Sequence, residues 1–432
     1  MYKVAFCTLG CKVNQYETDK IKEEFIKNNW KIVEFNKKAD VYIINSCSVT
    51  NLATRKTRNY LSRAKKLGGI CVLIGCYAQE LQSKENFDAL DIADIILGND
   101  EKKDVYLVIN EYIKNKKKNK VYKVSDISKS KKYIKSDILN EAFDIRESIK
   151  IEDGCNNFCS YCIIPYVRGR VRSRNISDII SEAKKLVNTG VRELVVVGIE
   201  ISSYGVDLDK KIDLIDVIEE LAKIDGLLRI RLGSIEPRIL SKSNIERLKN
   251  IDKLCHHFHI STQSLDDDVL KNMNRKYDSS FILEVTNNLH EAFEDVILTC
   301  DIIVGFPGET DIQFENTLNM LKKIKFYEVH TFKYSKRKWT RAATMPGQVS
   351  GEVANYRSNK LITLSNKIKE EIEKSYIGKK VDVLIEKYSN EYLEGYTKNY
   401  IKVRVKGDKS LCQKVLEVEL SSIEKDYMLG TI

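Results

Sequence analysis

Apolar residues recur along this chain in three rhythms, each holding over a long stretch. In residues 1 to about 125, continuous runs rich in Val and Ile ("YKVAFC", "DVYIINSC", "GGICVLIGC") are separated by stretches such as 17–29 with helical spacing. Short continuous apolar runs are how strands buried on both faces read. The region therefore predicts an open parallel α/β sheet. From about 145 to 370 six strand-like runs follow: "SIKIED", "ELVVVGIEI", "LRIRLGS", "HHFHIS", "VILTCDIIVGF" and "EVHTFKYS". Amphipathic stretches such as "SDIISEAKKLV" and "DLIDVIEELAKI" lie between them. Six β/α units predict a partial version of the eight-fold barrel, with chemistry at the carboxyl ends of the strands. The final stretch, 371–432, alternates apolar and polar positions, broken by Gly395 and Gly407, and predicts a small antiparallel β-barrel. Between the first two regions, 126–144 is polar, lysine-rich and without period, as a linker is.

Composition narrows the picture a little. Of 432 residues, 43% are hydrophobic and 31% charged, which fits globular domains with a proper core. No apolar run approaches the roughly 18 residues of a membrane span, and "MYKVAFCTLG" reads as a strand rather than a secretory signal. A cytoplasmic protein is expected. The chain carries 11 cysteines, and in a reducing compartment clustered thiols point to metal or catalysis rather than to disulfides. The net charge of +10 matters only through where the charge lies.

The cysteines carry the chemistry. Cys155, Cys159 and Cys162 share one loop, spaced C-x3-C-x2-C, just after the first strand of the predicted barrel. Zinc sites usually draw four ligands from paired C-x2-C units, and no fourth ligand lies near. Three thiolates suit a [4Fe–4S] cluster that leaves one iron open. Cys11, Cys47 and Cys76 each come just after a predicted parallel strand. In open α/β sheets ligands gather beyond strand carboxyl ends, so these three are expected to converge and could hold a second such cluster. Cys7 and Cys71 fall inside strand runs and read as packing groups, as do Cys255, Cys300 and Cys412 as core or surface thiols. On the "HHFH" strand, His257 and His259 share a face opposite His256, which predicts a core or pocket role rather than a metal site.

C-x3-C-x2-C with Tyr161 before its last cysteine resembles the radical S-adenosylmethionine (SAM) superfamily. The order of motifs resembles the methylthiotransferases within it: an α/β domain with three cysteines, a partial barrel and a C-terminal TRAM barrel. "GCKVNQYET", "YSKRK" and "MPGQV" are most similar to the branch acting on threonylcarbamoyladenosine in tRNA. The resemblance implies two [4Fe–4S] clusters, on Cys155, Cys159 and Cys162 and on Cys11, Cys47 and Cys76. It implies SAM as radical source and as methyl donor, and methylthiolation at carbon 2 of the adenine at position 37 in the anticodon loop. It also implies an electron donor such as a flavodoxin or ferredoxin. The same chemistry on isopentenyladenosine or on a ribosomal protein side chain is the near alternative. A non-catalytic RNA-binding iron–sulfur sensor is the alternative of another class.

By the same resemblance Tyr161, Gly198, Glu200, Ser234, Glu236 and Gln263 line the SAM pocket, with Gly305, Pro307 and Gly308 near the adenosine. Leu265, Gly233, Trp339 and Arg341 depart from the family's usual residues around the mouth. RNA contacts are expected from two basic strips. Arg168, Arg170, Arg172 and Arg174 alternate after the cysteine loop, which in extended chain places them on one side. Lys402, Arg404 and Lys406 alternate with Ile401, Val403 and Val405 in the last domain, near Tyr392, Tyr396 and Tyr400.

Overall fold

The computed structural model of the chain describes residues 1–83, 91–115, 119–134 and 144–432. The Val/Ile runs of the first region become β1 (Lys3–Thr8), β3 (Val41–Ser46) and β4 (Ile70–Gly75). Three-residue strands β2 (Lys31–Val33), β5 (Ile95–Leu97) and β6 (Val121–Lys123) complete one parallel sheet, ordered β2-β1-β3-β4-β5-β6. Helices α1 (Lys12–Lys27), α2 (Asn51–Leu67), α3 (Cys76–Glu80) and α4 (Val105–Lys114) connect them. Alternate strand residues feed two separate cores, Tyr42 and Ile44 on one face, Val41 and Ile43 on the other. That double burial is why the runs are continuously apolar. The strand order reverses between β1 and β3, and a crevice beyond the strand ends forms at such a switch point.

The second region builds six parallel strand positions in chain order. They are β7 (Arg146–Lys150), β10 (Glu193–Val197), β11 (Arg229–Leu232) continued by β12 (Ser234–Ile235), β13 (His257–Gln263), β14 (Ile297–Val304) and β15 (Glu328–Lys333). An isolated bridge between Ile230 and Leu254 joins the two halves of the sheet. Two-residue strands β8 (Glu152–Asp153) and β9 (Arg172–Ser173) pair across the cysteine loop. A short helix, α5 (Ile164–Val167), follows that loop. Outside the strands run α6 (Ile176–Asn188), α7 (Leu214–Ala222), α8 (Lys242–Lys249), α9 (Asp267–Asn272), α10 (Ser279–Ala292), α11 (Asp311–Ile324) and α12 (Gly351–Lys374). One set of alternate strand residues, among them Leu194, Ile230, Phe258 and Cys300, packs against those helices in a single core. The opposite set points inward and is polar: Glu193 meets Arg231, and His259 meets Thr299 and Asp301. The barrel therefore has an apolar shell and a charged interior, and the expected partial (β/α)6 architecture stands.

The last strands, β16 (Lys380–Ser389), β17 (Tyr392–Thr397), β18 (Lys402–Lys406), β19 (Val415–Ile423) and β20 (Met428–Thr431), close into a TRAM-like barrel ordered β16-β17-β18-β20-β19. Gly395 is required there: a Cβ on it would lie 2.1 Å from the Leu384 carbonyl oxygen. This small barrel forms the floor of the partial one. Arg229 donates to the carbonyls of Tyr396 and Asp382 at 2.7 and 3.0 Å, and the Tyr400 ring lies 4.7 Å from that of His257. Among the described residues no helix is long and apolar enough to cross a membrane.

Candidate active site

Cys155, Cys159 and Cys162 sit on the loop between β8 and α5, at the mouth of the barrel. Gly154 opens the loop at φ +84°, and a Cβ there would lie 1.9 Å from the Arg170 carbonyl oxygen, so only glycine lets the two chain segments meet. The sulfurs are furnished with donors: Asn157 N–H reaches Cys155 Sγ at 3.4 Å, and Arg275 Nη1 reaches Cys159 Sγ at 3.2 Å. Burial pushes the Cys162 thiol up to about 12, with the neighbouring Cys159 adding to it. Thiols so placed become thiolates when iron binds, and hydrogen bonds to sulfur are part of how a protein holds and tunes such a cluster. The donor set fits a [4Fe–4S] cluster with three protein ligands.

The second set of thiols converges as the topology requires. Cys11 is the N-cap of α1, Cys47 follows β3, and Cys76 opens α3, beyond three neighbouring strands. A Cβ on Gly10, at φ +101°, would lie 2.7 Å from Cys47 Cβ and 3.0 Å from its Sγ, so the first two turns are in contact. Burial raises both the Cys11 and Cys47 thiols, and each also feels the charge of Cys76 and of Arg168. Val49 N–H reaches Cys47 Sγ at 3.5 Å and Arg168 Nε reaches Cys76 Sγ at 3.2 Å. Cys76 packs on Ile163 and Val167, which adjoin the other cysteine loop. The residues present thus fit a second three-thiolate cluster beside the first. Cys71 is buried inside β4 and Cys7 lies within β1.

Arg168 is the joint between the two thiol sets, which corrects one of the expected RNA strips. Its side chain is fully buried, with Nη1 on Glu17 at 2.7 Å and on Asp153 at 3.2 Å. Glu17 also receives Lys102 at 2.5 Å and Lys150 at 2.7 Å. Burial would raise the Glu17 carboxyl, but Arg168, Lys102 and Lys150 hold it well below the usual range. Arg172 is buried and donates to the Arg168 and Arg170 carbonyls; buried Arg174 pairs with Glu182. The stretch is not extended, since α5 ends at Val167 and β9 holds only two residues, so the alternation does not present one exposed side. Arg170 alone remains exposed.

Arg170 belongs to a different surface, one that periodicity did not reveal. Its guanidinium lies 4.3 Å from the Phe158 ring; Phe158 packs edge-on to Tyr166 at 5.8 Å, and Tyr166 lies 6.3 Å from Trp339. Tyr166 and Trp339 are 38% and 40% exposed, and Lys336 and Arg341 are exposed around them. Trp339 sits at φ +64°, a conformation glycine adopts more easily. This aromatic and basic rim borders the cysteine loop. On the far barrel, Ile401, Val403 and Val405 are buried as their alternation demands. Lys402 and Arg404 are half-buried beside Glu394, and Lys406 is exposed near Glu391. Tyr396 and Tyr400 stack on each other at 4.8 Å and serve the barrel floor, where Arg231 lies 4.4 Å from Tyr400.

Around the mouth, the residues expected for SAM lie at strand ends, apart from Tyr161 on the cysteine loop. Burial, with Glu236 nearby, raises Glu200 to about 7. Asn157 of the cysteine loop reaches Glu200 at 3.4 Å. Gly198 has no room for a side chain, because a Cβ would stand 2.3 Å from Glu152 Oε1. Gln263 ends β13 at φ +66°, Ser234 is exposed on β12, and Tyr161 packs against Met273 and Phe306. Sequence reasoning missed Glu152, fully buried and accepting the Glu200 N–H at 2.5 Å, and Arg275, which ties Cys159 to the Ser261 carbonyl. No local motif marks either one. Leu265 is buried in the central core, so its departure bears on packing rather than on the mouth.

A three-cysteine loop at the mouth of a partial (β/α)6 barrel defines the radical-SAM class. The Radical SAM superfamily signature matches residues 149–321, and that of Uncharacterized protein family UPF0004 matches 3–98. The solved structure of the radical S-adenosylmethionine methyltransferase TsrM from Kitasatospora setae shares the fold at TM-score 0.58 and 11% identity. That match covers 79% of this chain and 77% of that one. MtaB of Bacillus subtilis, a threonylcarbamoyladenosine tRNA methylthiotransferase, is 38% identical over all of this chain and 96% of its own length. MtaB of Aquifex aeolicus is 34% identical over 95% and 98%. A tRNA-2-methylthio-N(6)-dimethylallyladenosine synthase of Clostridium botulinum is 35% identical over 98% and 95%. The chain belongs to the radical-SAM tRNA methylthiotransferases.

Proposed function

We propose that the chain places a methylthio group on carbon 2 of N6-threonylcarbamoyladenosine at position 37, in the anticodon loop of tRNA. The barrel interior carries the substrate reading. It presents Arg146, Arg231, Glu193, His257, Asp301 and His330, a lining suited to a charged, hydroxylated substituent and ill-suited to an apolar dimethylallyl group. The relatives that act on threonylcarbamoyladenosine support the same choice.

Two [4Fe–4S] clusters are part of the reading, on Cys155, Cys159 and Cys162 and on Cys11, Cys47 and Cys76. When bound, SAM and the clusters would supply the radical that removes the carbon-2 hydrogen and would carry the methylthio group that takes its place, its methyl coming from SAM and its sulfur from an outside donor. The chain's own residues do the rest. Glu200 and Glu236 offer carboxylates to the SAM amino group, with Tyr161, Gly198, Ser234 and Gln263 shaping the pocket. Arg168 fixes the distance between the two thiol sets. Arg170 and the aromatic rim hold bases beside the mouth; Lys402, Arg404 and Lys406 hold phosphate farther away. An external reductant such as a flavodoxin or ferredoxin supplies electrons.

Replacing Cys155, Cys159 and Cys162 together by alanine should leave about half of roughly eight irons per chain. Retention of the full load would contradict the two-cluster arrangement. Mass spectrometry of tRNA nucleosides from cells lacking the protein should show threonylcarbamoyladenosine without its methylthio group. Loss of methylthio from dimethylallyladenosine instead would overturn the substrate.

A further inference from the structure

We propose that the exposed face of α2 is a docking surface for the phosphate backbone of the anticodon stem, gripping the RNA while the base at position 37 enters the mouth; this takes from the reading above only the tRNA substrate, and holds whichever substituent that adenosine carries.

The 17 residues of α2 make a rod about 25 Å long. Thr54, Thr57, Leu61 and Ala64 are buried, at the three- and four-residue spacing of one helix face. Arg55, Lys56, Asn59, Arg63 and Lys66 form the opposite face, and all are exposed. With Arg58 and Lys65 on its flank, the helix carries six cations and no acid. Every other described helix of eight or more residues carries at least one acid. Lys65 is held by Asp94 at 3.1 Å. Among the described residues Arg55, Lys56, Arg63 and Lys66 have no ion pair.

A face that needs only to meet water gains nothing from a single sign of charge. Arg55 and Arg58, like Arg63 and Lys66, are neighbours one turn apart and repel each other, where an acid at either position would attract. The exposed side of α12 shows the ordinary mixture: Lys374 pairs with Glu370 at 2.6 Å and Lys369 reaches Glu373 at 4.0 Å. The helix dipole favours Lys65 and Lys66 in the last turn of α2, but it does not favour Arg55 and Lys56 toward the positive end. A polyanion laid along the face relieves all of these repulsions together. The basic strip of the C-terminal barrel is different, because Lys402 and Arg404 share Glu394 and Lys406 lies 3.8 Å from Glu391.

The position of the helix names the anion. α2 begins just after Cys47, at the carboxyl end of β3, and is tied to the mouth by two contacts between domains. Asn51 N–H donates to Ser335 Oγ at 3.0 Å, and Arg337 Nη1 donates to Thr54 Oγ1 at 3.4 Å. Ser335 and Arg337 belong to the loop that carries exposed Lys336, Trp339 and Arg341. The basic face is therefore continuous with the aromatic rim and runs away from it. In tRNA the nucleotide at position 37 lies close to the foot of the anticodon stem, so a base in the mouth brings stem phosphates within reach of a helix that starts there. A protein partner would need an apolar centre to its interface. On this face α2 offers one exposed apolar residue, Leu52, at the mouth end.

The test uses the full-length, cluster-loaded protein and two fluorescent RNAs: an anticodon stem-loop, and a single-stranded oligonucleotide of the same loop sequence. Both carry plain adenosine at position 37, so the result does not depend on which substituent the enzyme accepts. Binding is read by anisotropy over a range of salt concentrations. A protein with Arg55→Gln, Lys56→Gln and Arg63→Gln should bind the stem-loop at least about tenfold more weakly, and its slope of log affinity against log salt should be shallower by about two to three. Its affinity for the loop oligonucleotide should change less than about twofold. Arg55→Lys with Arg63→Lys keeps the charges and should keep the slope. A triple variant that binds the stem-loop as wild type does overturns the proposal. Equal weakening toward both RNAs overturns the stem as the ligand. Unchanged RNA binding with slower reduction of the clusters by a flavodoxin gives the face to the electron donor instead. Should the triple variant lose iron, Arg63→Gln alone, farther from Cys47, decides: its salt slope should fall by about one, and an unchanged slope counts against the proposal.

Discussion

A buried guanidinium that touches two carboxylates and a thiol leaves those groups stranded if it is removed, and Arg168 is such a residue. Arg168→Met should destabilise the protein by about 3–5 kcal/mol, because Glu17 and Asp153 lose their partner inside the fold. Denaturant unfolding measures it. Exposed Arg170→Ala should stay within about 0.5 kcal/mol of wild type yet weaken tRNA binding, so two arginines two residues apart should fail in opposite assays. The sequence showed them as equals. Alternation marks a common side only where the backbone is extended, and the partners that bury Arg168 come from residues 17 and 153, which no local pattern brings together. The same reason hid Glu152 and Arg275. His330 adds a pH-dependent case. Its contacts with Asp301 and then Glu328 raise its imidazole to about 9, against an ordinary value near 6.5. A raised folded value stabilises fully below about 6.5 and is lost as pH climbs through 9. Asp301, held near 2 by His259 and His330 against the effect of burial, stays ionised throughout. The melting-temperature advantage of wild type over His330→Gln should therefore shrink between pH 6 and pH 10. A constant difference would show that His330 stays neutral.

Turns beyond strand ends were the most legible elements, and they carry the thiols. Apolar runs located β1, β3 and β4, and parallel topology then required Cys11, Cys47 and Cys76 to share a rim. Strands of three residues, β2, β5 and β6, were not among the runs read, since so short a piece has no period to detect. Gly10 shows how tightly one of these turns is built. With φ +101° and Cys47 Cβ 2.7 Å from where its own Cβ would be, Gly10→Ala forces either the backbone or Cys47 to move. Total iron should fall toward half of the full load as the second site empties, with the Cys155 loop unaffected; an unchanged iron count would mean the turn yields without cost. The Phe158, Tyr166 and Trp339 rim was illegible for the opposite reason. Its members come from the cysteine loop with the short helix after it and from a loop more than 170 residues on, and only the fold lines them up. If bases stack on it, Trp339→Ala should cost about 1–3 kcal/mol of tRNA affinity. Trp339→Gly should cost the same affinity while relieving the backbone at φ +64°.

The three domains touch through side chains that are spent on one another, and this bears on what the C-terminal barrel is for. A small β-barrel with a basic face reads from sequence as an RNA-binding appendage. In the fold it is also the floor of the catalytic barrel. Arg229, buried on β11, crosses the boundary to two carbonyls of the C-terminal domain; Asn399 returns a bond to the Asp295 carbonyl at 2.8 Å, and Lys398 one to the Asp252 carbonyl at 2.6 Å. Tyr400 closes over Arg231 and His257 on the inner face of the barrel. The Glu193–Arg231 and Glu386–Arg146 pairs thus stay shielded enough from water to matter only while the floor is in place. Calorimetry of the full chain should show the two barrels melting in one transition. Arg229→Met leaves the Tyr396 and Asp382 carbonyls without their donor, at about 1–3 kcal/mol for each group left buried and unpaired. It should split that transition in two and weaken discrimination between substrates even though Arg229 contacts no RNA. A protein whose two barrels already melt separately, or whose selectivity survives Arg229→Met, would return the C-terminal domain to the role of a tether.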